Sequence, residues 1–180
     1  MHFLEYHYQK VIKYDLINKF QYTNINELPQ IKKIIINFGC KNFKIKNFAA
    51  ILLALELITT RKGIVTQTKT PNIFIKIQKG QPTGCKIILR KTTMYNFLSK
   101  LTIEIFPNLK KLLYFNTDKK TFKNFSFILP KNLLVFSELK EHYNLYNLLS
   151  DLDITIITSS KTQKELFFLL KSFQLPFRKN

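Results

Sequence analysis

NIFIKIQKGQPTGCKIILR, residues Asn72 to Arg90, decides how the rest of the chain is read. Its first part alternates, with Ile73, Ile75 and Ile77 on one side and Phe74, Lys76 and Gln78 on the other. Its last part alternates again, setting Cys85, Ile87 and Leu89 opposite Lys86, Ile88 and Arg90. A period of two marks a strand half-buried against a core. Between the two runs, Gly80, Pro82 and Gly84 supply turn chemistry, Gly permitting unusual backbone angles and Pro setting one. The expectation is a β-hairpin with one apolar face and one basic face.

Outward from the hairpin, Ile64 to Thr68 reads as a strand. So does Ile31 to Phe38, opened by Pro29 and closed by Gly39. The Phe-rich Thr121 to Leu129 and the alternating Asp153 to Thr158 are strands as well. Helical spacing of Leu4, Tyr8, Val11, Ile12, Leu16 and Phe20 predicts a first helix over Phe3 to Phe20. A second, Lys44 to Thr60, carries Phe48, Ile51, Leu52, Leu55 and Ile58 on a broad apolar face. A third runs from Thr92 to Phe106 and stops at Pro107. Leu133 to Ser150 holds a short helix near its end. Thr162 and Glu165 have the spacing of a capping box, so the last helix starts there and runs to Phe173, with Pro176 beyond. Such interspersed strands and helices give an α+β class, one sheet with helices packed on one face, in a single domain over residues 1–180.

The chain has 180 residues, 29 Lys+Arg against 11 Asp+Glu, and a formal net charge of +18. Its 46% hydrophobic content excludes a disordered basic tail. Two Cys, Cys40 and Cys85, cannot staple a chain of this length as a disulfide scaffold. Only Arg61, Arg90 and Arg178 are arginine, and Ile, Asn, Phe and Lys abound. That bias is the mark of A+T-rich coding and accounts for part of the positive excess, though not for the shortage of acids. No run approaches the ~20 apolar residues of a membrane span. The start has neither the build of a secretory signal nor an Arg-rich transit peptide, so the chain is expected to stay where it is made.

The sign of the charge varies along the chain. Leu57 to Ile103 contains no acid and nine basic residues: Arg61, Lys62, Lys69, Lys76, Lys79, Lys86, Arg90, Lys91 and Lys100. Lys32 and Lys33 flank it on the first strand, and Lys41, Lys44 and Lys46 start the second helix. Glu138 to Asp153 holds Glu138, Glu141, Asp151 and Asp153 against Lys140 alone. Scattered lysines are commonly a solvated face. An acid-free stretch of this length across a hairpin instead predicts an anion-binding surface, and a phosphate backbone is the obvious anion. Thr66, Gln67, Thr68, Thr70, Asn72 and Gln78 lie among these cations, short polar side chains suited to phosphates and 2′-hydroxyls.

Catalysis finds little to stand on. Of His2, His7 and His142 only the last is near carboxylates, Glu138 and Glu141. No metal-ligand spacing, Gly-rich phosphate loop or nucleophile motif occurs, and Asp151 with Asp153 reads as a cap or solvated edge. No cofactor is expected. The rival use of the same charge is a peripheral membrane protein binding anionic lipid, anchored by the apolar face of Lys44 to Thr60.

Four segments carry a resemblance: IKKIIINFG (31–39), QKGQPTGCKIILR (78–90), LDITIITSSKTQKE (152–165) and LPFRK (175–179). In order and spacing they resemble the universal large-subunit ribosomal protein five, the family that binds 5S ribosomal RNA. FSELKEHYNLYNLLSDLDITIIT (136–158) is similar to organelle versions, especially mitochondrial ones. With the A+T-rich composition, the resemblance implies a mitochondrially encoded protein of the mitochondrial ribosome, a plastid being the alternative. It implies a five-stranded antiparallel sheet in the central protuberance, whose open face and first strand hold 5S and large-subunit rRNA. The residues that it places there are Lys32, Lys33, Asn37, Arg61, Lys62, Gln67, Lys86 and Arg90. Lys69, Thr70, Asn72, Lys76 and Lys79 fall in a basic loop, 69–79, that reaches toward P-site tRNA. The acidic 138–153 region would face neighbouring central-protuberance proteins or the head of the small subunit. Arg61 and Ile88 depart from the Gln and Thr common in bacterial members.

Overall fold

The computed structural model describes residues 2–39, 45–71, 77–109, 116–117, 123–129, 136–146, 149 and 151–175. Helix α1 (Phe3–His7) passes through a π-helical turn (Tyr8–Ile12) into α2 (Lys13–Lys19), and a 3-10 turn (Ile25–Glu27) precedes strand β1 (Ile31–Gly39). Next come α3 (Ile45–Thr59), β2 (Ile64–Gln67) and β3 (Pro82–Leu89). Helix α4 (Lys91–Lys100) continues through a second π-helical turn (Leu101–Ile105) into the short α5 (Phe106–Asn108). After these are β4 (Asn116–Thr117), β5 (Asn124–Leu129), α6 (Ser137–Lys140), α7 (Tyr143–Tyr146), β6 (Leu152–Thr158) and α8 (Gln163–Ser172).

The strands form one sheet in the order β2-β3-β1-β6-β5-β4, five strands of four or more residues with the two-residue β4 on one edge. Neighbours run antiparallel. Register fixes this for β2 with β3, where Ile64 faces Lys86 and Thr66 faces Gly84, and for β4 with β5. Gln30 and Ser159 join the start of β1 to the end of β6 by two hydrogen bonds, Gln30 N to Ser159 Oγ at 2.9 Å and Ser159 N to Gln30 O at 3.0 Å. Thr158 N donates to Lys123 O at 2.7 Å, joining the end of β6 to the start of β5. Gly84, early in β3, lies against the carbonyl of Phe38, late in β1. The result is the expected α+β class with an antiparallel sheet.

Alternation sorts each strand into two rows. Cys85, Ile87 and Leu89 of β3 are buried, as are Ile34, Ile36 and Phe38 of β1. Phe125, Phe127 and Leu129 of β5 and Leu152, Ile154 and Ile156 of β6 complete the buried side. The alternate row is half-buried or exposed on each of these strands, apart from Gly84, so one side of the sheet is core and the other is open.

The chain divides into two compact units, Met1–Ile35 with Ile88–Phe127 and Ile154–Asn180, and Ile36–Ile87 with Ile128–Asp153. In the first, α1 packs on α4 and α2 on α8, burying Ile12, Leu16, Met94, Leu98, Leu166 and Leu169. In the second, α3 packs on α6 and α7 and buries Ile51, Ala54, Leu55 and Ile58, a spacing of three and four residues that keeps one face inward.

Three expectations change. The partner of β3 in the hairpin is β2, not the segment from Asn72 to Gln78, because β2 and β1 take both edges of β3. Residues 72–76 lie outside the described residues. The third helix does not stop at Pro107: the π-helical turn starts a fresh helical turn, and Pro107 falls in its first positions, where its missing N–H is not needed. Val11, expected on the apolar face, is 44% exposed, since the π-helical turn shifts the angular position of the residues it contains.

The capping box at α8 forms as read. Glu165 N donates to Thr162 Oγ1 at 3.3 Å, and Glu165 Oε2 accepts from Thr162 N at 3.2 Å and Lys161 N at 2.9 Å. Thr162→Ala should lower stability by about 1 kcal/mol in denaturant melts, the usual worth of an N-cap side chain.

Candidate nucleic-acid interface

In the second unit, β3 presents Lys86 on its open row, opposite Ile64 of β2. Thr66 stands beside it opposite Gly84, its Oγ1 3.2 Å from the position a Cβ there would take. Gln67 ends β2, exposed, across from Pro82 after a register shift. Asn37 lies on the open row of β1, half-buried, alternate to Ile36 and Phe38.

Arg61 and Lys62 are exposed on the turn from α3 to β2. That turn is built tightly. Thr60 takes left-handed backbone (φ 54), its N–H donates to Glu56 O at 2.8 Å, and Gly63 N donates to Glu56 Oε1 at 3.2 Å. A β-branched residue in this conformation costs about 1–3 kcal/mol, so packing around the turn must hold it there.

The loop between β2 and β3 is closed at its base. Thr68 N donates to Gln81 O at 3.0 Å, Gly80 N to Thr68 O at 3.0 Å, and Thr68 Oγ1 to Gln78 O at 2.7 Å. Gly80 has φ +84, which suits glycine. Lys69, Thr70 and Lys79 are exposed there. Asn72 and Lys76, also expected in the loop, lie outside the described residues, as do Lys41, Lys44 and Phe74.

In the first unit, Lys33 occupies the open row of β1 and Arg90 caps the start of α4, exposed. Lys91, the next residue, is also left-handed (φ 52), so the chain bends sharply beside Arg90. Lys32 is exposed but out of phase: by alternation it belongs with Ile34, Ile36 and Phe38, and it does not share the row of Lys33 and Asn37. Adjacent strand residues face opposite ways, so the pair Lys32 and Lys33 cannot serve one face.

Electrostatically these cations are unoccupied. Among the described residues, none of Lys32, Lys33, Arg61, Lys62, Lys69, Lys79, Lys86 or Arg90 forms an ion pair, whereas Lys161 holds Glu27 at 2.6 Å. The charge also changes along the sheet order, from Lys86 on β3 and Lys33 on β1 to Asp153 on β6 and the neutral Asn124 and Ser126 on β5. Those last open-row residues, with Thr155 (Oγ1 to Ser126 Oγ, 3.4 Å), escaped the sequence reading. Their signal was available in the residues alternate to Phe125, Phe127 and Ile154.

The anchor that a membrane reading needs is not presented. Ile51, Ala54, Leu55 and Ile58 of α3 are buried. Among the described residues no helix is long and apolar enough to cross a membrane, and no cluster of three His, Cys, Asp or Glu is placed to hold a metal ion.

A half-open antiparallel sheet with an unpaired basic row is an arrangement suited to a polyanion, and comparison with known proteins identifies its kind. Residues 82–177 match the family described as the ribosomal uL5 family C-terminus. The large ribosomal subunit protein uL5m of Reclinomonas americana is 40% identical over 183 residues, covering 99% of this chain and 100% of that protein. The chain belongs to the ribosomal uL5 family. It is of the mitochondrial type, and in this ribosomal family the protein's part is structural, not enzymatic. In this uL5-family chain the matched segment begins at Pro82, the first residue of β3, and takes in Lys86 and Arg90.

Proposed function

We propose that this chain, a structural constituent of the mitochondrial large ribosomal subunit, grips rRNA through the open row of its sheet. Lys33, Lys86 and Arg90 neutralise phosphates, with Arg61 and Lys62 on the neighbouring turn. Asn37, Thr66 and Gln67 add short hydrogen-bonding contacts that set orientation. The observation that carries the reading is the set of exposed or half-buried cations with no carboxylate partner, on a surface whose polar residues are small. An unpaired cation loses nothing internal when it meets a phosphate, so its charge is available to binding.

The RNA is 5S rRNA where the particle retains one, together with large-subunit rRNA of the central protuberance. The 69–79 loop, held at its base by Thr68 and Gln81, extends toward P-site tRNA. The opposite sign of charge supports a protein-facing side. A groove of about 560 Å³ between α3 and the α6–α7 pair is lined by Leu53, Leu57 and Leu145 with Glu138 and Glu141, chemistry that fits a basic protein of the small-subunit head.

Lys86→Ala combined with Arg90→Ala tests the RNA face. Affinity for the cognate large-subunit rRNA should fall and the salt slope flatten by about 2, one for each phosphate contact. Thermal stability should stay nearly unchanged, because exposed charges contribute little to folding. A large loss of stability with intact RNA affinity would mean that the two faces of the sheet are inverted.

A further inference from the structure

A second basic site lies in the first unit, away from the residues assigned above. The π-helical turn Tyr8–Ile12, the start of α2 and the 3-10 turn Ile25–Glu27 enclose a cleft of about 600 Å³, within the roughly 300–1,000 Å³ of small-molecule sites. Its floor is fixed: Tyr8, buried, donates its hydroxyl to Pro29 O at 3.0 Å, and burial pushes that phenol up to about 12, so it stays neutral. Lys10 and Lys13 stand on one wall, and no acid lines the cleft. The acid of the 3-10 turn, Glu27, is turned to Lys161 at 2.6 Å and Thr23 at 3.1 Å, and the bond to Lys161 holds its carboxyl below the usual range.

The remaining lining is what a nucleobase needs. Tyr14 is 59% exposed at the rim. Gln9, Asn26 and Gln30 also line the cleft, and among the described residues none of their side-chain amides is hydrogen-bonded to the protein. We propose that this cleft takes a single unstacked RNA nucleotide, its base against Tyr14 and its phosphate on Lys10 and Lys13. The amides meet the base edges. The inference rests on the reading of the chain as an rRNA-binding protein and adds a single-strand contact to the shape-reading sheet. An aromatic platform beside cations, with unpaired amides, is the common equipment for splayed-out bases. A protein segment is the less suited occupant, since the cleft is chiefly polar and basic.

The test uses the full chain and a fluorescein-labelled hexauridylate followed by anisotropy. Tyr14→Ala should weaken binding about 5- to 150-fold, the range for loss of one base stack, while Tyr14→Phe keeps parental affinity. Lys10→Gln with Lys13→Gln should lower the salt slope by about 1.4, for two single-strand phosphates. Melting curves of all variants should coincide, as Tyr14 is exposed. If Tyr14→Ala binds as the parent does, while Lys86→Ala with Arg90→Ala still weakens capture of large-subunit rRNA, the cleft proposal falls and the sheet reading stands. If neither set of variants alters binding to either RNA, both fall. Parental RNA binding by Tyr14→Ala, with a neighbouring protein lost from the purified subunit, would make the cleft a protein site and overturn the proposal.

Discussion

Gly84→Ala should cost about 3 kcal/mol or more, measured as a shift in the denaturant midpoint, and should lower the yield of folded protein. A Cβ at Gly84 would press into the carbonyl oxygen of Phe38 well inside contact distance, with Thr66 Oγ1 3.2 Å away on the other strand. The obstacle is backbone. Phe38 is fully buried and its carbonyl belongs to β1, so relief requires moving β3 off its neighbour rather than turning a side chain. Gly63→Ala supplies the contrast. A Cβ there meets Leu52 Cδ1 at 3.3 Å, the far end of a flexible side chain, and should cost no more than about 1 kcal/mol. Equal melting of the two variants would rule out the close approach of β3 to β1. Because Gly84 sits on the row of Lys86 and Arg90, the same substitution should also impair rRNA capture, through displacement of the strand.

The largest effect on binding is expected from salt. If about six phosphates are contacted, affinity for cognate rRNA should fall with a log–log slope of about −4 to −5. Between about 50 and about 200 mM salt that is a loss of roughly 250- to 1,000-fold. The size follows from counterion release: each neutralised phosphate frees condensed ions, whose return to solution is worth less as salt rises. Hydrogen bonds from Asn37, Thr66 and Gln67 carry no such dependence, so the slope reports the cations and not the polar contacts. A nearly flat titration would leave the basic row without a role in RNA binding. Lys32, out of phase with the open row, should contribute little to the slope when replaced by Gln.

Much of this architecture is legible along the chain because it depends on neighbours only a few residues away. The alternation of Cys85 to Arg90 states which side chains are buried, and Cys85, Ile87 and Leu89 are. The capping box needs Thr162 and Glu165 three residues apart, and it forms. Lys86 and Arg90 fall on one open row for the same reason, a period of two that the backbone imposes. Composition and motif likewise lead to a ribosomal protein of mitochondrial type, which the family comparison bears out.

Other features depend on residues far apart in sequence, and there local pattern misleads. Asn72 to Gln78 alternates as well as any strand, yet alternation does not say which strand will take an edge; β2 takes that edge of β3. Lys32 and Lys33 read as one basic pair, but the phase of β1 is set by what Ile34, Ile36 and Phe38 bury. The cleft at Tyr8 forms because a π-helical turn and a 3-10 turn meet across the hydrogen bond to Pro29, neither of which hydrophobic periodicity records. The sequence by itself therefore determined the class of protein, the strand rows and the sign of charge on them, since these are local properties of a chain with a fixed backbone period. Only the tertiary structure decided strand partners, the glycine-only approach of β3 to the Phe38 carbonyl, and the second basic cleft. Each of these is a contact between distant segments, and its energy does not exist until both are in place.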